Sequence, residues 1–421
     1  MSDLALTKYP VFMLAVLCLA APAMVSAQLR IEITSGVNDP VPIAINEKGD
    51  PAVTQATAVV QSDLTSSGRI RVVPTTVSTR NSGADFVLDL DNRIAADGSL
   101  TATASLSNVA TGQPIGVETV RAARGNPRLL GHKVADWVYQ KVLGVPGAFA
   151  SRIAYVSVDG RAPRQRFQLI VADSDGETPK PILESAQPIM SPSFSPDGLW
   201  LAYVSFESRV AAIYLQKLAT GERRRVSARL GVNGAPSWSP DSSKLALTLS
   251  GSGGNLDIYL LDLATQGVMR VTNDPGIDTE AVWSNNGQEL YFTSDRSGGP
   301  QIYRIAMAAP SDRPRRVTFG SSYNARPRIS PDGKWLAMVT LDSGAYRIAL
   351  QDMNGGSSRL VSRGRFDESP AFAANSATLI YAAKEQGRDI LATVSVDGQI
   401  TQRLKADRGQ VREPVFGPRL N

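Results

Sequence analysis

The chain has 421 residues, of which 43% are hydrophobic and 20% charged, a composition that fits a globular protein and excludes an intrinsically disordered one. Its 44 Lys and Arg against 39 Asp and Glu leave a net charge of +5, spread along the chain rather than gathered in a tail, so it reads as a solvated basic surface and not as a nucleic-acid-binding arm. A chain this long exceeds one compact core and implies two domains or a repeat architecture.

Residues 1–27 read as a cleaved signal peptide. Lys8 supplies the positive charge, Val11 to Ala21 is uninterruptedly apolar, and Val25-Ser26-Ala27 offers small residues before Gln28. The apolar run is too short for a membrane span. Bulky Leu17 before Cys18, and the continuation of the run past it, argue against a lipid anchor. Cleavage after Ala27 removes the single cysteine, which leaves no disulfide and no thiolate metal site in an exported chain.

Leu29, Ile31 and Ile33 then alternate with Arg30, Glu32 and Thr34, the period of a strand. Either this is the first strand of the following domain, or it is a free terminus able to pair with a partner's sheet edge. Ala52 to Leu64 fits a helix. Ile70 to Val73, Phe86 to Leu90 and Leu100 to Asn108 fit strands. Pro127 to Leu143 is an amphipathic helix with Leu130, Val134, Trp137 and Val138 on one face, ended by Gly144 and Pro146. Residues 28–145 thus form a small α/β domain, and 146–150 a linker.

From residue 190 a pattern recurs. It reads Pro192-Ser193-Phe194-Ser195-Pro196-Asp197-Gly198, and its central large apolar residue returns at 238, 283, 329, 372 and 416, in steps of 44, 45, 46, 43 and 44. That period is one four-stranded propeller blade. Ser-Pro-Asp-Gly is the turn between two short strands: Pro sets φ, Asp bonds the backbone and Gly takes a left-handed φ. The sixth copy, Pro414-Val415-Phe416, has no chain after it to complete a blade. Its missing strands match Ile153 to Ser157, Gln168 to Val171 and Pro181 to Leu183. Residues 151–421 are therefore an all-β six-bladed propeller whose last blade is built from both ends of the domain, so that no sheet edge stays open in the ring.

Catalytic chemistry is hard to find. His132 is the one histidine and has no second His or Cys to share a metal or a proton relay. Asp85, Asp89 and Asp91 lie on or beside a strand, and Asp173-Ser174-Asp175-Gly176 reads as a hairpin turn, so both groups are read as structural. There is no Gly-x-Ser-x-Gly and no Walker or dinucleotide loop. Arg223 to Arg225 and Arg313 to Arg316 fall at blade edges without interleaved aromatics, which argues edge protection rather than nucleic acid. No catalytic residue, metal ligand or cofactor is expected. What remains is the ring of loops entering the innermost strand of each blade at the channel mouth: Asn233-Gly234-Ala235, Asp278-Thr279-Glu280, Asn324-Ala325-Arg326 and Asp367-Glu368-Ser369. Loops held on a rigid scaffold are where binding concentrates.

The whole pattern resembles the TolB family. The resemblance rests on Leu29-Arg30-Ile31-Glu32-Ile33-Thr34-Ser35-Gly36-Val37, Asn233-Gly234-Ala235-Pro236, Thr293-Ser294-Asp295-Arg296, the signal peptide and the domain order. It implies a non-enzymatic, soluble periplasmic scaffold that supports outer-membrane integrity and constriction during division. It also implies binding of the lipoprotein Pal at the propeller mouth, through Val232, Asn233, Ala235, Asp278, Thr279, Glu280, Asn324, Arg326, Asp367 and Glu368. TolA would be bound through 28–39, chiefly Gln28 to Val37. Colicins and other outer-membrane lipoproteins are further implied partners, and the membrane is met only through Pal. A channel enzyme and a carbohydrate-binding propeller are the competing readings.

Overall fold

The computed structural model describes residues 29–74, 83–251, 253–309, 313–406 and 409–420. The expected signal peptide and Gln28 lie outside the described residues. Strand β1 spans Leu29–Ser35, followed by β2 (Val41–Gly49), α1 (Thr54–Ser66), β3 (Ile70–Val73), β4 (Phe86–Ile94), β5 (Leu100–Asn108), β6 (Pro114–Ala122) and α2 (Pro127–Leu143). Strands β2 to β6 form one sheet in the order β3-β2-β4-β5-β6, and β2 runs parallel to both of its neighbours.

Local chemistry explains the element ends. Asn126 accepts from the Leu129 N–H (3.1 Å) to cap α2, Pro127 occupies its first turn, and Gly144 closes it at φ 72°. The helices cover the sheet with Val60, Leu64, Leu130, Val134 and Val138 against Ile43, Leu88 and Leu90. They cross closely at Gly131, where a Cβ would stand 2.5 Å from the Ala56 carbonyl. Strands β2 and β6 have no counterpart in the sequence reading. In β2 the buried run Ile43-Ala44-Ile45 lies between two parallel neighbours and does not alternate. In β6 most side chains are exposed on a sheet edge.

Six sheets form the propeller. The first blade runs Ile189–Phe194, Trp200–Ser205, Ala212–Lys217 and Arg223–Ser227 from the channel outward, and the next four repeat the order. The sixth combines the C-terminal strand Gln410–Arg419 with Ser151–Asp159, Arg166–Asp173 and Lys180–Ser185, pairing Val411 with Ser157 and Phe416 with Ile153. The split closure inferred from the repeat phase is the one observed. Where the repeat keeps its serine the turn is self-bonded: the Ser239 and Ser330 hydroxyls donate to Asp241 and Asp332 (2.6 Å each) while accepting the Lys244 and Trp335 N–H groups (2.9 Å each). Neighbouring blades are stitched where Trp238 and Trp283 donate indole N–H groups to the carbonyls of Ser193 and Ser237.

Strand β1 requires a correction. It is not the first strand of the α/β sheet. It adds antiparallel to the outer strand of the fifth blade, Thr401–Ala406, with Ile31 opposite Leu404. Leu29 drives this docking: it is 1% exposed, buried among Ile153, Tyr155, Ile170, Leu391 and Leu404 between the fifth and sixth blades. Full burial of one such side chain stabilises by about 1.5–3 kcal/mol. Thr34 and Ser35 hydroxyls add bonds to the Thr401 and Gln399 carbonyls, whereas Ile33 stays exposed.

Candidate functional site

The channel mouth is shaped by one device used six times. In the innermost strand of every blade the register slips by a bulge, between Met190 and Ser193, Gly234 and Ser237, Thr279 and Val282, Ala325 and Arg328, Glu368 and Ala371, and Arg412 and Val415. Each bulge holds one non-glycine residue in the left-handed region: Ser191, Ala235, Glu280, Arg326, Ser369 and Glu413, at φ 46–58°. Left-handed backbone costs an L-residue about 1–2 kcal/mol, so the surrounding sheet imposes it. The bulge re-aims the side chain out of the strand's alternation. All six line a channel of about 240 Å³.

This ring is held by its own charges. Arg326 pairs with Glu280 (3.1 Å) and also donates to the Ser369 hydroxyl. The second Glu280 oxygen accepts from the Thr293 hydroxyl and the Arg326 N–H (3.2 Å each). Glu413 accepts from the Ser191 N–H. Burial works against the Arg326 charge, but Glu280, Glu368 and Glu413 outweigh it and raise the guanidinium pKa. Burial raises Glu413, opposed by Ser191 and by Arg326. Arg328, deeper in the channel, is pushed down by burial.

Four of the residues expected at the mouth face the other way. Asn233, Asp278, Asn324 and Asp367 stand where the inner strands begin, and their side chains are buried. Asn233 accepts from the Ser227 hydroxyl (2.6 Å) and the Arg229 N–H (3.0 Å); Asp278 holds Arg296 (2.7 Å); Asn324 donates to Gln301 (2.9 Å); Asp367 accepts from the Gly364 N–H (2.8 Å). They brace the mouth loops from beneath. Val232, Ala235, Thr279, Glu280, Arg326 and Glu368 are all at least partly exposed there.

The sequence reading named Val232 but missed the rest of an outer ring. Val210, Leu230, Ile277, Phe319 and Phe366 join Val232 as exposed residues in loops on the mouth face, Leu230 at 98%. The signal was present as apolar residues within Gly- and Arg-rich loops, where turn chemistry alone gives them no place. Exposed apolar groups gathered on one face mark an interaction surface.

The opposite face carries the α/β domain. Arg69 of that domain pairs with Asp397 of the fifth blade, and Gln402 donates to the Ser66 carbonyl. His132 on α2 is buried against Asp63 of α1 (2.7 Å) and lies 3.7 Å from Asp173 in the second turn of the propeller, between Arg166–Asp173 and Lys180–Ser185. Arg128 reaches Asp173 (2.7 Å) and Asp175 (2.6 Å) of the same turn. Burial opposes the imidazolium, but Asp173 and Asp63 raise its pKa to about 10. Burial lifts Asp63 to about 6 despite His132. Asp173 falls to about 2, because His132 and Arg128 outweigh its burial. Asp63, His132 and Asp175 offer ligand atoms within 4.8 Å of one another, but the Arg128 guanidinium, 3.4 Å from the imidazole, already supplies a cation there. The cluster is a joint between domains. Asp89 accepts from Asn46 and Asp91 pairs with Arg93, so that group is structural as well.

A six-bladed propeller with a small α/β domain locked to its far face defines a class of two-domain propeller proteins. The family described as the TolB amino-terminal domain matches residues 29–92, and that described as the TolB beta propeller domain matches 139–420. The chain belongs to the TolB family and is a component of the Tol-Pal system. The Tol-Pal system protein TolB of Xanthomonas oryzae pv. oryzae is 43% identical over 433 residues, 96% of this chain and 97% of that protein. That of Xanthomonas campestris pv. campestris is 43% identical over 417 residues, 93% of each. The crystal structure of TolB from Acinetobacter baumannii superposes with a TM-score of 0.85 at 38% identity, covering 93% of this chain and all of that one.

Proposed function

We propose that this protein is a periplasmic scaffold that binds Pal at the propeller mouth and TolA through its N-terminal segment, and so supports outer-membrane integrity and constriction at division. The observation that carries the reading is the mouth itself: exposed apolar residues surround a charge-locked ring whose loops are braced from below, on the face away from the α/β domain. A preformed surface pays little ordering entropy on binding. Val232, Ala235, Thr279, Glu280, Arg326 and Glu368 are the proposed contacts. Asn233, Asp278, Asn324 and Asp367 serve by positioning the loops. The N-terminal segment supports the second half of the reading. As the outermost strand of its sheet, β1 has one edge unpaired, and an edge strand of this kind can take up a partner strand. Cleavage after Ala27 would place the segment at the mature terminus. Among the described residues no helix is long and apolar enough to cross a membrane.

Calorimetric titration of the chain from Gln28 onward with the soluble domain of its cognate Pal tests this. A saturable one-to-one complex is expected, weakened at least about tenfold by Thr279→Arg. A folded propeller that takes up no Pal overturns the reading and reopens a channel enzyme or a carbohydrate-binding module.

A further inference from the structure

The mouth is not equivalent around its circumference. On the fifth blade, residues 361–367 lead into the innermost strand and expose Arg363, Arg365 and Phe366. Despite its exposure the loop is pinned. The Tyr346 N–H donates to the Arg365 carbonyl (2.9 Å), the Asp367 N–H to the Tyr346 carbonyl (3.0 Å) and the Gly364 N–H to the Asp367 carboxylate (2.8 Å). Arg363, Arg365 and the neighbouring exposed Arg388 have no carboxylate within ion-pair distance among the described residues. The acids of this blade are mostly engaged: Glu385 by Arg403 (2.8 Å), Asp389 by Lys384 (3.8 Å) and Asp367 by its own loop. Glu368 is the exposed exception, and it faces the Arg326 charge.

Beside this loop lies a cavity of about 390 Å³, where Arg412 shares the lining with Tyr323, Tyr346 and Phe366, and where the carboxylates present are already answered, Asp389 by Lys384, Asp367 by the Gly364 N–H and Glu368 by the Arg326 charge. Tyr323 and Tyr346 meet edge to face at 5.2 Å. The Arg412 Nε–H is buried without an acceptor. An unsatisfied buried guanidinium donor invites an acceptor, and a carboxylate meets a guanidinium fork in two parallel bonds. Rigid aromatic and arginine groups are also the ones that dominate interface energetics.

We propose that the fifth-blade side of the mouth is a preformed receptor for an acidic segment of the docked protein: one carboxylate enters the cavity toward Arg412, and the flanking residues lie along Arg363 and Arg365 and over Phe366. This rests on the docking reading above and adds the partner's chemistry to it. Unpaired arginines held on a rigid loop need no rearrangement to meet acidic groups, and they speed encounter with an acidic surface.

The test is calorimetry of the full mature chain with the soluble domain of cognate Pal, at about 50 and about 300 mM salt. Arg363→Glu with Arg365→Glu should weaken binding about tenfold at low salt and much less at high salt, with melting unchanged. Phe366→Ala should weaken it about tenfold at both. Arg71→Glu, the same charge change on the exposed surface of the α/β domain, should leave it unaltered. If wild type binds and Thr279→Arg disrupts the complex while the loop variants bind normally, docking stands and this inference falls. If wild type does not bind, both fall. If the loop variants bind Pal normally but lose an affinity for anionic lipid vesicles that wild type shows, the loop serves a lipid surface and the proposal is overturned.

Discussion

His132 shows how much a single side chain depends on its setting. As the one histidine, with no second His or Cys to partner it, it reads as structural, and the structure makes it the bridge between domains. Its partners, Asp63 and Asp173, lie 69 residues before it and 41 after it in sequence, and no local pattern announces them. The raised pKa carries a sign. An imidazole whose folded pKa exceeds its unfolded value near 6.5 adds stability that is fully present below pH 6.5 and is lost as pH rises toward 10. Asp63, raised to about 6, acts in a lower window: its ionisation in the folded state is disfavoured between the ordinary carboxylate range and pH 6. Urea unfolding midpoints of wild type should therefore fall between pH 7 and 10, and His132→Gln should flatten that slope while lowering stability at pH 7. An unchanged slope in the variant would assign the pH dependence elsewhere.

At the scale of elements, strand β1 is the instructive case. Its alternation is plain in Leu29, Ile31 and Ile33, and predicts a strand correctly. The pattern does not say which sheet it joins, because any open edge with an apolar slot satisfies it. The slot between the fifth and sixth blades exists only when the ring is closed, so the sequence left open whether the segment joins the α/β sheet or stays a free terminus. Leu29→Ala should release the segment: a buried Leu→Ala change costs about 2–5 kcal/mol, comparable with all that one edge strand gains by docking. Hydrogen exchange of amides 29–35 should rise toward unpaired rates while the fifth blade stays protected. Retained protection would show that backbone pairing alone holds the strand. The mouth loops teach a related lesson. The phase of the repeat located them, but a bulge in each inner strand decides which side chains emerge. Polar Asn233, Asp278, Asn324 and Asp367 looked like surface residues and are buried braces, while apolar Leu230, Phe319 and Phe366, unremarked in the sequence, form the rim.

The whole molecule is a ring whose two ends must meet. Strand Gln410–Arg419 supplies the innermost strand of a blade begun near residue 151, and Val411 is fully buried in the cluster that also receives Leu29. Removing residues 409–421 would open the ring and uncover the edge of Ser151–Asp159. The expected outcome is loss of a single cooperative unfolding transition, with aggregation on heating, measured by calorimetry and light scattering. A truncated chain that melts as sharply as wild type would mean that five blades suffice. The primary sequence determined the number of blades, the split closure and most of the turn chemistry, because a repeat near 44 residues runs through the domain and its first four copies carry a Ser-x-Asp or Ser-x-Asn turn. Only the tertiary structure decided where β1 docks, which mouth residues face outward and how α2 locks to the propeller turn at Asp173 and Asp175. Those contacts join residues far apart in the chain, and their partners come together only once the ring has closed.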